Sequence, residues 1–340
     1  MSLGFLQLMK RIAASLAAVL LVLVTSVLAA CGGDGAEPDA PVDGAAATLV
    51  LDFQPNAVHA GIYAALADGS LADRGVDLTV QIPGASTDAP KLLEAGRADL
   101  AVMDIQDLAI ARERGADLVG IGGLVQRPLA AVIAGDEAKV RTPADLGGAT
   151  VGVTGLPSDD AVLQAVVDSA GGGGRDGPET VNIGFDSVAA LSAGRVDAAT
   201  AFWNVEGVAL REQGVPTREF RVDNYGAPRF PELVLVTSRE ELDENRDLLA
   251  SIVDGLRDGY QTVIDDPAAA LDAETAAVPE LDRETLDAQM DALEGAFAPT
   301  LLLDRPTLEE WADYVVDYGI VDARPDLDEV FDFGLSGSGG

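Results

Sequence analysis

The chain is poor in the residues on which most catalytic and metal chemistry depends. Among 340 residues there is one cysteine, Cys31, and one histidine, His59. A single cysteine excludes an intramolecular disulfide and any zinc or iron-sulfur centre built from several cysteines. No Gly-x-Ser-x-Gly or His-Glu-x-x-His pattern occurs, so neither a nucleophile elbow nor that helical zinc motif is available. Lysine is nearly absent, with only Lys10, Lys91 and Lys139, and 22 basic residues stand against 57 acidic ones for a formal charge of -35. A surface of that sign repels phosphate backbones and anionic headgroups, which excludes nucleic acid as a partner. With so many acids, a pair of carboxylates picked from the sequence is ordinarily solvated surface. The composition describes a chain that holds something without transforming it, and no cofactor or metal is expected.

What is present begins with a leader. Lys10 and Arg11 precede an uncharged apolar run from Ile12 to Ala30, which ends in Leu28-Ala29-Ala30-Cys31 followed by Gly32-Gly33. This resembles the lipobox of bacterial lipoproteins. The resemblance implies a signal peptide over 1–30, lipid on Cys31, and retention on the outer face of the cell membrane. Residues 31–47, rich in Gly, Ala, Pro, Asp and Glu, read as a flexible tether. The remaining length suffices for two ordinary domains.

The mature chain is organised around Leu49 to Tyr63, LVLDFQPNAVHAGIY. An apolar β-prone run is stopped at Pro55, and a helix reads from Asn56 to Gly69. Open α/β sheets bind ligands at such strand-to-helix junctions. Asn56, His59 and Tyr63 are spaced by three and four residues and share one helix face. Asn56 serves equally well as a helix cap, and Tyr63 as core.

Strands and helices then alternate. Strands are expected over Val76–Ile82, Asp99–Met103, Leu118–Gly122 and Leu129–Ala134, with Gly122-Gly123 as a turn and a helix over Asp104–Arg114. The pattern restarts with strands over Thr150–Val153, Val181–Phe185 and Ala198–Phe202, and with helices over Asp159–Ala170 and Ser187–Ala193. Asp99 and Asp197 each follow Ala-Gly-Arg, so the two units echo one another. Glu232–Thr237 reads as a strand, and Asn245–Ile264 and Arg305–Tyr318 as amphipathic helices. The expected architecture is α/β with two lobes, each a mainly parallel sheet flanked by helices. Lobe 1 takes 48–134 and 223–340, lobe 2 takes 135–222, and two crossings form a hinge.

At the cleft, Phe202-Trp203-Asn204-Val205-Glu206-Gly207 follows a strand directly. An indole there offers a stacking surface, and Glu206 accepts hydrogen bonds from an amino group and a ring nitrogen, which suits an aminopyrimidine. Core packing for Trp203 and a solvated helix start for Glu206 are the plainer alternatives. Asp104, Gln126 and Tyr225 are further candidates.

Four strings, LDFQPNAVHAGIYAA from Leu51, LVQRPLAAVIA from Leu124, FWNVEG from Phe202 and NYGAPRFPELVLVTS from Asn224, resemble the bacterial lipoproteins that bind pyrimidine precursors of thiamine for an ABC importer. The resemblance runs from about residue 48 to about 265 and implies a type II periplasmic binding fold. It also implies capture of hydroxymethylpyrimidine or its formylamino relative between the lobes, handover to a membrane permease, and a monomer. Carried over, the ligand-facing positions are Asn56, His59, Tyr63, Trp203, Asn204 and Glu206, with Tyr225 closing the cleft. Riboflavin-binding lipoproteins and the sulfonate, nitrate and taurine binders share the scaffold and leave the ligand open. The same superfamily holds pyridoxal-phosphate-dependent pyrimidine synthases, whose lysine and histidine fall here on Met103 and Asp107.

Overall fold

The computed structural model describes residues 44–84, 88–135, 140–171, 177–298 and 300–336. The leader, Cys31, residues 32–43 of the tether, and the loop residues Ala85-Ser86-Thr87 lie outside the described residues. No described helix is long and apolar enough to cross a membrane.

The strands are β1 (Ala45–Val50), β2 (Val76–Gln81), β3 (Leu100–Asp104), β4 (Leu118–Val125), β5 (Ala130–Gly135), β6 (Thr150–Val153), β7 (Glu179–Asn182), β8 (Ala198–Phe202), β9 (Thr217–Arg221) and β10 (Leu233–Ser238). They form two five-stranded sheets in the orders β2-β1-β3-β10-β4 and β7-β6-β8-β5-β9. The two orders are one pattern used twice, and the architecture is two-lobed α/β. In each sheet a first strand pairs in parallel with the second and third. A strand arriving from the other lobe then enters antiparallel to both of its neighbours. Four of the five strands in each sheet therefore run in one direction, so the sheets are mainly parallel, and only the strand arriving from the other lobe is reversed. The physical reason is the route of the chain: β5 follows β4, and β10 follows β9, without the right-handed helical crossover that returns a strand in the same direction.

Four local expectations are corrected. Ala45–Ala47, assigned to the tether, are the start of β1 and pair with Val76–Leu78. Ala130–Ala134, assigned to lobe 1, belong to the second sheet, since Ala130–Gly135 pair wholly within it, and the first crossing lies just before β5. Pro128, lacking an N–H, breaks the ladder there. Gly122-Gly123 is not a turn but part of β4, where pairing with β10 skips Leu124 and Ile121. Glycines at a bulge let a strand bend without a side-chain clash. Finally, β7 covers Glu179–Asn182 and leaves Phe185 in the following loop.

The echoed Ala-Gly-Arg has a structural cause in each lobe. Gly96 and Gly194 end their helices in the left-handed region, at φ 59° and 62°, which favours glycine. Two residues after Arg97 and Arg195, the next aspartate reaches the first strand of its own sheet. Asp99 Oδ2 accepts from Thr48 N at 2.6 Å, and Asp197 Oδ2 accepts from Thr150 N at 3.0 Å.

In the first lobe a 3-10 turn, Ala57–His59, leads into α1 (Ala60–Ala67), followed by α2 (Ala89–Glu94) and α3 (Ile105–Glu113). The second lobe carries α4 (Pro157–Ser169), α5 (Ser187–Ser192) and α6 (Glu206–Glu212). After β10 come α7 (Arg239–Glu244), α8 (Arg246–Asp265), α9 (Pro267–Ala277), α10 (Arg283–Ala292), α11 (Arg305–Asp317) and α12 (Leu327–Val330). Along α8, Leu249, Ile252, Val253, Leu256, Tyr260 and Val263 are buried at the three- and four-residue spacing of a helix stripe. That stripe lies on α1, and Gly259 approaches Gly61 so closely that a Cβ would fall 2.0 Å from its carbonyl oxygen. The C-terminal helices thus return to the first lobe, while α10 also reaches α6 through Thr285 Oγ1, 3.1 Å from Glu212 Oε2.

Candidate functional site

A cavity of about 160 Å³ opens between the two sheets. Its walls are the loops at the carboxyl ends of β1, β3, β6 and β8, together with the chain crossings at Leu129-Ala130 and Glu232-Leu233. The location follows from topology, because strand carboxyl ends diverge where connections leave for opposite faces.

Six carboxyl side chains line this cavity, Asp52, Asp104, Asp107, Asp159, Glu206 and Glu232, and no lysine, arginine or histidine does. Asp104 caps α3, accepting from Gln106 N at 2.7 Å, and is hydrogen-bonded to Glu232. Glu232 Oε2 also accepts from Leu129 N at 2.5 Å, so it joins β3 to both crossings. Two hydrogen-bonded carboxyls hold a proton between them. Burial and the charge of Glu232 raise Asp104 well above the usual carboxyl range, and burial raises Glu232 as well. Asp107 is pushed up to about 7 by burial, with the charges of Asp104 and Asp52 adding to it. Burial also raises Asp159, against two hydrogen bonds from Thr154, and Glu206, whose Oε2 accepts from Phe202 N at 3.0 Å.

The amides of Asn56, Gln106 and Asn204 and the hydroxyls of Thr154, Ser158, Ser187 and Thr200 also line the cavity. Gln106 Oε1 and Asn204 Oδ1 are buried without a hydrogen-bond partner. An unmet buried acceptor carries a desolvation penalty that a donor in the cavity would relieve. The surface therefore calls for a molecule rich in N–H donors or positive charge. Among the described residues, no group of three His, Cys, Asp or Glu side chains is disposed to hold a metal ion.

The residues singled out in the sequence divide into three sets. Asn56, Asp104, Asn204 and Glu206 line the cavity. Asn56 also caps the helix, its side chain accepting from Val58 N at 3.3 Å. His59 stands one residue behind the wall. Its Nδ1 accepts from Asn56 N at 3.2 Å, which places the proton of the neutral ring on Nε2, and Nε2 donates to Asp52 Oδ1 at 2.7 Å. Asp52, in turn, faces the cavity.

Tyr63, Gln126, Trp203 and Tyr225 do not reach the lining. Tyr63 is buried in α1, Gln126 donates to Gly123 O and Leu302 O, and Tyr225 packs edge-on to Phe220. Trp203 is fully buried. Its Nε1 donates to Pro128 O at 3.0 Å, and the guanidinium carbons of Arg221 and Arg127 lie 3.9 and 5.3 Å from its ring centroid. The expected stacking surface is thus already covered. Its neighbours Phe202 and Asn204 line the cavity, and Trp203, in the turn after β8, does not.

Residues 56–270, more than half of the chain, match the family model described as NMT1/THI5 like. The chain belongs to that family. It is 29% identical to the formylaminopyrimidine-binding protein of Halalkalibacterium halodurans, over 86% of this chain and 92% of that protein. It is also 29% identical to a putative thiamine biosynthesis protein of Haemophilus influenzae, over 58% of this chain and 63% of that one. Among solved structures, the alkanesulfonate-binding protein SsuA from Xanthomonas axonopodis pv. citri, bound to MOPS, superposes with a TM-score of 0.67 at 18% identity. It covers 88% of this chain and 99% of its own. This likeness gives the fold: the two lobes are those of type II periplasmic binding proteins.

Near His59 lies an unusual group. Glu274, on α9, is fully buried with neither carboxyl oxygen hydrogen-bonded. Burial raises its pKa to about 7, partly offset by His59. Burial opposes a charge on His59, but Asp52, by charge and hydrogen bond, and Glu274 together raise it. A carboxyl that holds its proton more tightly when folded stabilises the fold where it is protonated, and that contribution is lost as pH rises from about 4.5 toward 7. Thermal melts of Glu274→Met against pH should therefore fall less steeply across this window than those of the unsubstituted protein. Parallel profiles would show that folding does not raise the pKa of Glu274.

Proposed function

We propose that this protein is the extracytoplasmic solute-binding component of an ABC importer and that its solute is a thiamine pyrimidine precursor, hydroxymethylpyrimidine or its formylamino relative. The observation that carries this reading is the lining: six carboxyl groups, two unmet amide oxygens and no basic side chain. An aminopyrimidine supplies the complement. Its exocyclic amine donates, and its ring nitrogen takes a proton beside a carboxylate, so one carboxylate can hold both nitrogens in a bidentate pair. Glu206, Asp107 and Asp52 are the carboxylates for that edge, with Asn204 and Gln106 accepting further donors.

Size supports the same class. A cavity of about 150 Å³ admits benzene, and the 160 Å³ here suits one substituted six-membered ring. The three fused rings of riboflavin exceed it. A sulfonate requires cationic or N–H-rich walls, and the acidic lining opposes one. The synthase reading lacks its chemistry, because Met103 cannot form a Schiff base and Asp107 stands where a histidine is required. In this reading Cys31 carries the lipid, the tether gives reach, and a monomer delivers the solute to a membrane permease.

Thermal shift against hydroxymethylpyrimidine, its formylamino analogue, thiamine, riboflavin and an alkanesulfonate tests the assignment. A ligand at one hundred times its dissociation constant stabilises by about 2.7 kcal/mol. The pyrimidines should shift the melt and the sulfonate should not. A sulfonate or riboflavin response in place of a pyrimidine one would overturn the assignment.

A further inference from the structure

Only 5% of the chain is aromatic, and among the described residues most of these side chains are buried or half-buried. Among the described residues just two aromatic side chains are exposed: Phe53, with 42% of its surface open, and Phe185, with 66%. Both line the cavity. They come from opposite lobes, Phe53 from the loop after β1 and Phe185 from the loop after β7. Leaving a phenyl ring in water forfeits hydrophobic stabilisation, so two such rings facing one acidic cleft need an explanation other than packing.

We infer that Phe53 and Phe185 are a pair of aromatic jaws that grip the two faces of a flat, π-bonded ring while the carboxylates and amides hold its edge. The inference rests on the function proposed above and adds to it the part of the site that reads planarity. Faces and edges of a heteroaromatic ring are recognised by different chemistry: hydrogen bonds lie in the ring plane, and stacking lies across it. The polar groups of this cavity supply the first, and Trp203, fully buried with Arg127 and Arg221 against its ring, is not available for the second. Because each ring belongs to a different lobe, gripping the ligand buries apolar surface on both lobes at once and links occupancy to their approach.

The test is calorimetric titration of 4-amino-5-hydroxymethyl-2-methylpyrimidine into the unsubstituted protein and into Phe53→Ala, Phe185→Ala, Phe185→Leu and Ile264→Ala. Ile264 is an exposed apolar residue on α8 outside the cavity and serves as the control. Each alanine variant should bind about five- to a hundredfold more weakly, the span expected for loss of one stacking partner. Melting temperatures without ligand should be unchanged, since neither ring is buried. Phe185→Leu, which restores apolar bulk without a π-face, should recover only part of the loss, and Ile264→Ala should bind normally. If the unsubstituted protein binds and both alanine variants match it within about twofold, the jaws are refuted and the function stands. If the unsubstituted protein binds no pyrimidine, the function falls and the jaws with it.

Discussion

Truncating Trp203 to alanine is expected to cost the folded state about 3–5 kcal/mol, the range for deleting a buried indole. The effect on ligand affinity should be secondary. The side chain is fully buried with two guanidinium groups against its ring, and its N–H satisfies Pro128 O in the first crossing. Arg127 continues the tie, pairing with Asp223 of the second crossing at 2.6 Å. Removing the indole leaves a cavity, orphans the Pro128 carbonyl and frees both arginines beside the point where the chain passes between lobes. Denaturant unfolding should show a lower midpoint. A normal midpoint with abolished pyrimidine binding would return Trp203 to the cavity wall.

Substituting Glu206 by glutamine is expected to act in the opposite sense, on binding and not on folding. An amide oxygen at that position can still accept from Phe202 N, so the start of α6 keeps its hydrogen bond. What disappears is a charge that burial makes costly to hold. Without ligand, the variant should be at least as stable at neutral pH. With a pyrimidine, the loss of a charge-assisted bond should weaken binding by about 1.5–3 kcal/mol, or roughly ten- to a hundredfold. Titration calorimetry decides the matter, and an unchanged dissociation constant would remove Glu206 from the set of ligand-holding residues.

Much of the fold is legible locally. The apolar run before Pro55, the glycine stops at Gly96 and Gly194, and the buried stripe of α8 are each set by neighbours within a few residues. The echo of Asp99 in Asp197 was legible as a repeat, and the strand-closing hydrogen bonds to Thr48 and Thr150 give its cause. Part of the cavity wall was legible as polar residues near strand ends: Asp104 ends β3, Asn204 and Glu206 stand two and four residues after β8, and all three line the cavity. Asp52, Phe53, Gln106, Asp159, Phe185 and Glu232 line it as well and were not singled out. Asp52, Phe53 and Gln106 share the weak signal of standing within a few residues of a strand's carboxyl end. Glu232 offers none, since it precedes its strand and meets Asp104 across 128 residues of chain.

By itself, then, the sequence determined the alternating elements, the duplication and the strong acidity, because these depend on side-chain period, turn chemistry and composition. Only the tertiary structure decided which residues of the turn after β8 face the cleft, and so placed Asn204 in the wall and Trp203 against the first crossing. It also decided that β5 and β10 enter the opposite sheet antiparallel, and that six scattered acids share one cavity. The reason is that strand direction, facing and proximity across lobes arise from contacts between residues far apart in the chain, and no short window of sequence contains both partners.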